Sequence, residues 1–298
     1  MEANPQGEIR ILVRGAYDVQ MLRIQHGNRI VANFKARLGQ EPSKPEEDLD
    51  KEDQKLLAKL RAEYKKITDG VKLFPRPEKF KGTEIISSYT ELCLLEQYES
   101  LEKQENQHFR RLEGALQTFK IYTEYLTKIR GVGPAMAGVL ISELDVRKAD
   151  HASGFWKYAG LDVAADGKGR SKQKDHLVDW KYTDKDGKEA VRKGITFNPF
   201  LKTKLVGVLA DVFIRLGDNK YKQVYVDYKA RLENNPKHAD KTKLHRHRMA
   251  KRYLIKIFLL DLWTNWRAME GLPVTPPYHV AKLGLSGHGL EAIYGKAA

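Results

Sequence analysis

Sulfur is scarce in this chain: of 298 residues only Cys93 is a cysteine. A lone thiol excludes an intramolecular disulfide and any cysteine-rich zinc site, and it suits a reducing, cytoplasmic setting. Long apolar runs are missing as well. No stretch of eighteen apolar residues occurs and no leader pattern opens the chain, so neither a membrane span nor secretion by that route is expected. Acid is in deficit, with 39 Asp and Glu against 53 Lys and Arg and a formal net charge of +14. That excess is the footprint of a polyanionic partner, most often nucleic acid; a merely basic soluble protein is the plain alternative. The 41% of apolar residues is enough for a core and excludes wholesale disorder. The length allows one large or two ordinary domains.

Helical periodicity dominates what is present. Across residues 8–38, Ile11, Leu12, Val19, Leu22, Ile30, Val31 and Phe34 recur mostly at threes and fours. "GQEPSKPEEDLDKED" (39–53) reads as a polar linker whose acidic end charges the first turn of the helix that follows through "QKLLAKLRAEYKKI". "LFPRPEKFKG" (73–82) is a second Pro/Gly loop. From Thr83 to about Arg130 the only helix breaker is Gly114, and Ile86, Tyr89, Leu92, Leu95, Tyr98 and Leu101 form a stripe. One or two long helices are expected there, either a coiled-coil pair or dimer arm, or an ordinary bundle helix. After Gly160 the texture changes: turn dipeptides "DG" at 166 and 186 and alternating pieces such as "HLVDWKYT" predict a small β-hairpin or an extended basic loop. Helix returns at 199–216, with Asn198 as N-cap and Pro199 in the first turn, then in "YKQVYVDYKARLE", then from about Lys241 to Met269.

Three motifs carry chemistry. "LTKIRGVGPAMAGVLISEL" (126–144) lacks the third glycine and the preceding strand of a dinucleotide fingerprint, and it lacks the Lys-Ser or Lys-Thr of a phosphate loop. It fits a helix-hairpin-helix, in which turn amides and a helix N-terminus face a phosphate. Lys128, Arg130, Gly131, Val132 and Gly133 would then hold a DNA backbone without reading sequence. An αα-turn with no ligand is the alternative. "GKGRSKQK" (167–174) sets Lys168, Arg170, Lys172 and Lys174 among glycine and serine, as a phosphate-contacting arm or a solvated loop. Ser171 is its only hydroxyl and the candidate nucleophile, although spacing alone assigns it no His or Asp partner. "KTKLHRHRMAKRYLIKIFLLDLW" (241–263) is a basic amphipathic helix with Arg246, Arg248, Arg252 and Lys256 as DNA contacts. His245 and His247 stand two apart, so a helix points them away from each other; a partly protonated phosphate-facing surface fits better than a metal site. Trp263 and Trp266 are expected in the core.

In this order the motifs resemble the C-terminal domain of the RuvC-like DEDD insertion-sequence transposases, the family of the Piv/MooV-type invertases and bridge-RNA-guided recombinases. The likeness rests on "IRGVGPAMAGVLISEL", "FWKYAGLD", "ADGKGRSK", "KGITFNPFLKTKLVGVLADV" and "HRMAKRYLIKIF", and it covers about half the chain. It implies DNA transposition or recombination, with a serine acting beside an acidic metal site. Two departures stand out. Residues 1–125 read as helical rather than as a nuclease sheet, with Asp18 inside a helical pattern, so that half is absent or replaced. Ala165-Asp166 stand before Gly167 where the family places its serine, so Ser171 is displaced.

The expected architecture is therefore mainly α. A helical region with a long helix (1–125) precedes a helix-hairpin-helix, transposase-like DNA-binding domain with a small β insertion (126–272), and then a tail (273–298). The expected partner is DNA, with structured RNA as the alternative, and self-association is expected through the long helix. No cofactor is identified; Mg²⁺ would enter only if a separate nuclease partner supplied the acidic site. An inactive nucleic-acid-binding or structural accessory protein is the competing reading.

Overall fold

A serine three residues before a glutamate sets where the long central helix begins. Ser88 Oγ accepts from the Glu91 amide, and Glu91 Oε2 accepts from the amides of Ser87 and Ser88, a reciprocal cap at the head of a helix. The computed structural model describes residues 5–70, 75–83 and 85–275. The expected tail from residue 276 onward, and residues 71–74 of the second Pro/Gly loop, lie outside them. Among the described residues the chain is mainly helical, with nine α-helices and one two-stranded antiparallel sheet, as the periodicity predicts. It divides into two compact units, residues 11–114 and residues 1–10 with 115–298.

The smaller unit is built from α1 (Pro5–Arg37, from its third turn on), α2 (Lys51–Gly70) and α3 (Tyr89–Leu116). Its core gathers Phe34, Leu49, Leu57, Leu60, Ile86, Leu92 and Leu95. The apolar stripe of α3 finds its partner within the chain, on α1. Tyr17 meets Phe109 edge-on at 5.9 Å, Gln20 donates to Glu105 at 2.8 Å, and Arg37 pairs with Glu91 at 2.9 Å. Rising numbers on α1 meet falling numbers on α3, so the two helices run antiparallel.

The larger unit is centred on α9 (Lys243–Met269), where Leu254, Ile255, Phe258, Leu259 and Leu262 are fully buried. Trp263 and Trp266 lie in this core as expected, and the Trp263 indole donates to the Ala149 carbonyl at 2.7 Å. Helix α4 (Pro134–Glu143) is apolar all round, and every residue from Met136 to Glu143 is buried. Its last carbonyls are satisfied from the start of the chain: Arg10 donates to Ser142 O at 2.8 Å and Gln6 to Leu144 O at 3.2 Å. Next come α5 (Ala152–Tyr158), then β1 (Val178–Thr183) and β2 (Glu189–Gly194), paired from Val178↔Gly194 to Thr183↔Glu189. Gly187 at φ 77° closes that hairpin, where the "DG" dipeptide predicts a turn.

Asn198 caps α6 (Pro199–Lys202) by accepting from the Leu201 amide at 3.0 Å. The chain then winds through a π-helical stretch, Thr203–Leu209, into α7 (Ala210–Arg215). Leu201, Leu205 and Leu209, four apart, are all fully buried. Helix α8 (Lys220–Glu233) packs along α9, and its Tyr221 hydroxyl donates to the buried Asp261 at 2.9 Å.

The "GVG" turn joins a short irregular helical stretch, Ile121–Lys128, to α4. Gly131 sits at φ 99°, and a Cβ there would stand 2.5 Å from Leu216 Cδ1, just past α7. Gly133 has an ordinary φ of −85° and open space around it. Gly131→Ala is accordingly expected to cost about 1–3 kcal/mol in urea unfolding, from backbone strain and the clash. Gly133→Ala should stay within about 1 kcal/mol of wild type, and equal losses for the two would refute this account of the turn.

Candidate nucleic-acid interface

The "AADGKGRSKQKDH" segment is an ordered loop. Ala164 and Lys168 join by a 2.7 Å backbone bond, Gly167 at φ 77° closes the turn, and Val163 bridges Gly169. Cations fasten it from outside. Arg252, on α9, donates to the carbonyls of Gly160 (3.0 Å) and Arg170 (3.3 Å). Lys202, on α6, donates to the same Arg170 carbonyl at 2.6 Å. Arg170 itself grips Asp162 through Nε and one terminal nitrogen at 3.0 and 2.9 Å. A side chain at Gly169 would collide with the Arg252 guanidinium, so this glycine is what admits the clamp.

Within the loop the structure assigns partners that spacing does not. Ser171 Oγ lies 2.8 Å from His176 Nδ1, and His176 Nε2 lies 3.2 Å from Asp166 Oδ2, partners five and ten residues apart. The Ser171 amide also donates to Nδ1 at 3.0 Å, which makes Nδ1 an acceptor and puts the ring hydrogen on Nε2, facing the carboxylate. The Gln173 amide donates to Ser171 Oγ at 3.2 Å. The His176 side chain is 2% exposed and that of Asp166 is 37% exposed, so the acid end of the chain is wet. The Lys168 amide, with help from His176, holds the Asp166 carboxyl below its ordinary pKa. The arrangement is a hydroxyl with a base and an orienting acid. It also ties the loop together, and both roles follow from the same bonds.

The charge around the loop is unbalanced. Arg170, Lys202, Arg252 and Lys256 surround the one carboxylate of Asp162, whose second oxygen is buried without a partner. Burial, reinforced by Arg252, pushes the Lys202 ammonium down to about 8. Burial lowers the Arg252 and Lys256 pKa values as well. Such a cluster gains from an anion.

The other expected contacts divide by role. Lys128, Arg130, Lys172, Lys174 and Arg248 are exposed, and the Lys168 side chain is 75% exposed. Arg246 instead caps backbone, donating to the carbonyls of His238 (3.2 Å) and Lys241 (2.7 Å). Val132 is buried and its amide already serves the Ile129 carbonyl. That leaves Gly133 and the uncapped first turn of α4 to offer amides beside Lys128 and Arg130. Gly131 seats that turn against α7, whereas the serine loop is seated on α6 and α9, so different elements carry the two basic features.

The reading of His247 as a protonated phosphate contact is corrected. Its Nδ1 lies 2.7 Å from the Tyr225 hydroxyl, and burial lowers its pKa, which favours the neutral ring. Among the described residues no three His, Cys, Asp or Glu side chains gather as a metal site requires. No helix among the described residues is long and apolar enough to cross a membrane.

Comparison with known proteins adds no relative: no family model, no curated protein and no solved structure matches the chain.

Lys202 sets a pH signature. Its folded pKa lies below the unfolded 10.5, so between about pH 8 and 10.5 the unfolded chain holds the extra proton and this group's contribution to stability rises with pH. A bound phosphate reverses the shift and takes the proton back. Polyanion binding should therefore be accompanied by proton uptake between about pH 8 and 10, with log K falling by up to about one per pH unit. Calorimetry in two buffers of different ionisation heat measures the uptake; Lys202→Met should remove it, and unchanged uptake in that variant would rule Lys202 out.

Proposed function

We propose that this chain binds the phosphate backbone of nucleic acid as a protein of the transposase or site-specific recombinase type, acting in DNA transposition or recombination. The observation that carries the reading is the cation cluster on the serine loop. Four cations around a single carboxylate, part-buried and still in excess, are what a phosphate neutralises. The exposed cations Lys128, Arg130, Lys168, Lys172, Lys174 and Arg248 extend the charge beyond the cluster. The ordered motifs from "IRGVGP" to "HRMAKR" support the recombinase class. DNA is the favoured strand and structured RNA the alternative, and the proposed setting is cytoplasmic. Binding to a short duplex should weaken by about 10³-fold between 50 and 200 mM salt if six or more phosphates are contacted. An interaction insensitive to salt would sink the reading.

The Ser171–His176–Asp166 chain favours a second reading, strand cleavage by the serine. Ser171 Oγ would bond to phosphorus while its proton passes to His176 Nδ1 and Asp166 steadies the imidazolium. The P–O ester bond breaks, and the departing strand end leaves as a hydroxyl after taking up a proton. A covalent protein–DNA adduct on a denaturing gel should vanish in Ser171→Ala and fall by about 10²–10⁴-fold in rate in His176→Ala. Adduct formation by Ser171→Ala at the wild-type level would end this reading.

A further inference from the structure

On the larger unit, α5, α8 and α9 enclose a cleft of about 370 Å³, within the range of small-ligand sites. Leu232, Ile257 and Leu260 form its buried floor. Its walls are aromatic. Tyr228 and Tyr253 stack face to face with ring centroids 4.0 Å apart and an interplanar angle of 10°, so each covers one face of the other and the pair offers its outer faces and edges. Trp156 lines the cleft as well, and its indole is fixed by donating to the Lys256 carbonyl at 2.9 Å.

The polar lining has one sign. Arg231 and Lys256 contribute cations, Lys256 placing its ammonium 5.5 Å from the Trp156 ring centre, and no Asp or Glu lines the cleft. His238 Nδ1 is buried there without a hydrogen-bond partner, which is costly unless something supplies one. A ligand matching this lining has a flat ring, hydrogen-bonding edges and negative charge. A cationic or purely aliphatic ligand would waste either the cations or the rings.

We propose that this cleft takes one unpaired nucleotide of the bound strand, its base stacked on Trp156 or the Tyr228–Tyr253 pair and its phosphate held by Arg231 and Lys256. The proposal rests on the nucleic-acid reading above and adds a local preference to it. Stacking on aromatic rings is indifferent to base identity, so the cleft selects for an unpaired position rather than for a sequence. Lys256 lies one helical turn beyond Arg252, which clamps the serine loop, so one face of α9 serves both places. A base drawn from the stack into the cleft would leave its backbone locally opened along that face.

The test compares short duplexes carrying one unpaired central nucleotide, one abasic residue at the same bulge, or no bulge, by fluorescence anisotropy at fixed salt. DNA and RNA versions run in parallel to tell the two strand types apart. The bulged duplex should bind about 5- to 100-fold more tightly than the abasic one in at least one strand type. Tyr228→Leu and Trp156→Leu should each reduce that preference toward unity without weakening the fully paired duplex, and Tyr228→Phe should keep it. Equal binding of bulged and abasic duplexes in both strand types would overturn the cleft proposal while leaving the backbone-binding reading standing. An equal loss on all duplexes in the two leucine variants would give the rings a structural role only and overturn it too. Failure of every duplex to bind at low salt would overturn the reading it rests on.

Discussion

The serine loop depends on one guanidinium. Arg252 reaches from α9 to the carbonyls of Gly160 and Arg170, the two ends of the tight turn, and Gly169 leaves the space it passes through. Between those ends lies Asp166, and the Ser171 amide follows the second anchor directly. Charge-assisted bonds to backbone carbonyls are stronger than neutral ones, so the clamp on the main chain adds to the ties that Arg170, Ser171 and His176 make within the loop. Ser171, His176 and Asp166 share the holding with that clamp.

The basic residues therefore divide their work. Arg170, Arg246 and Arg252 satisfy carboxylate or backbone oxygens inside the protein, as arginine's multiple fixed donors suit it to do. The lysines Lys128, Lys172 and Lys174 stand in solvent, and Lys168, also exposed, lies 3.8 Å from Asp166. Lys202 belongs to both groups: it ties down the Arg170 carbonyl at the cost of a depressed pKa. Bonds to neutral carbonyls leave Arg252 and Lys202 charged, so they hold the loop and still count in the net charge of +14.

Local signals were readable where the physics is local. The Asn198-Pro199 helix start, the "DG" hairpin turn at 186, the apolar stripe of α3 and the buried Trp263 and Trp266 all follow from neighbours within a few residues. The basic face of α9 reads as uniform at steps of four, yet Arg248 is exposed while Arg252 turns inward, because the loop it meets lies far away in sequence. The Ser171–His176–Asp166 chain was hidden for a related reason. Its members obey no helical or strand period, and turn geometry alone brings them together. Their one signal was an acid, a hydroxyl and an imidazole crowded into a single short loop. The cleft was harder still, since Trp156, Tyr228 and Tyr253 come from three separate helices and no local period joins them.

The π-helical stretch from Thr203 to Leu209 sets an angular phase. An α-helix turns 100° per residue, and a π turn holds roughly one residue more than an α turn. Were these residues to relax to α geometry with none removed, each would turn further, and everything before them would swing against α7 by about a third of a turn for each π turn lost. Asn198 would leave Glu143, to which it donates at 2.6 Å, and Lys202 would leave the Arg170 carbonyl. Deleting one residue as the stretch relaxes to α offsets that swing and leaves the flanking helices close to their present phase. In this segment residue count and helix type are therefore tied to each other.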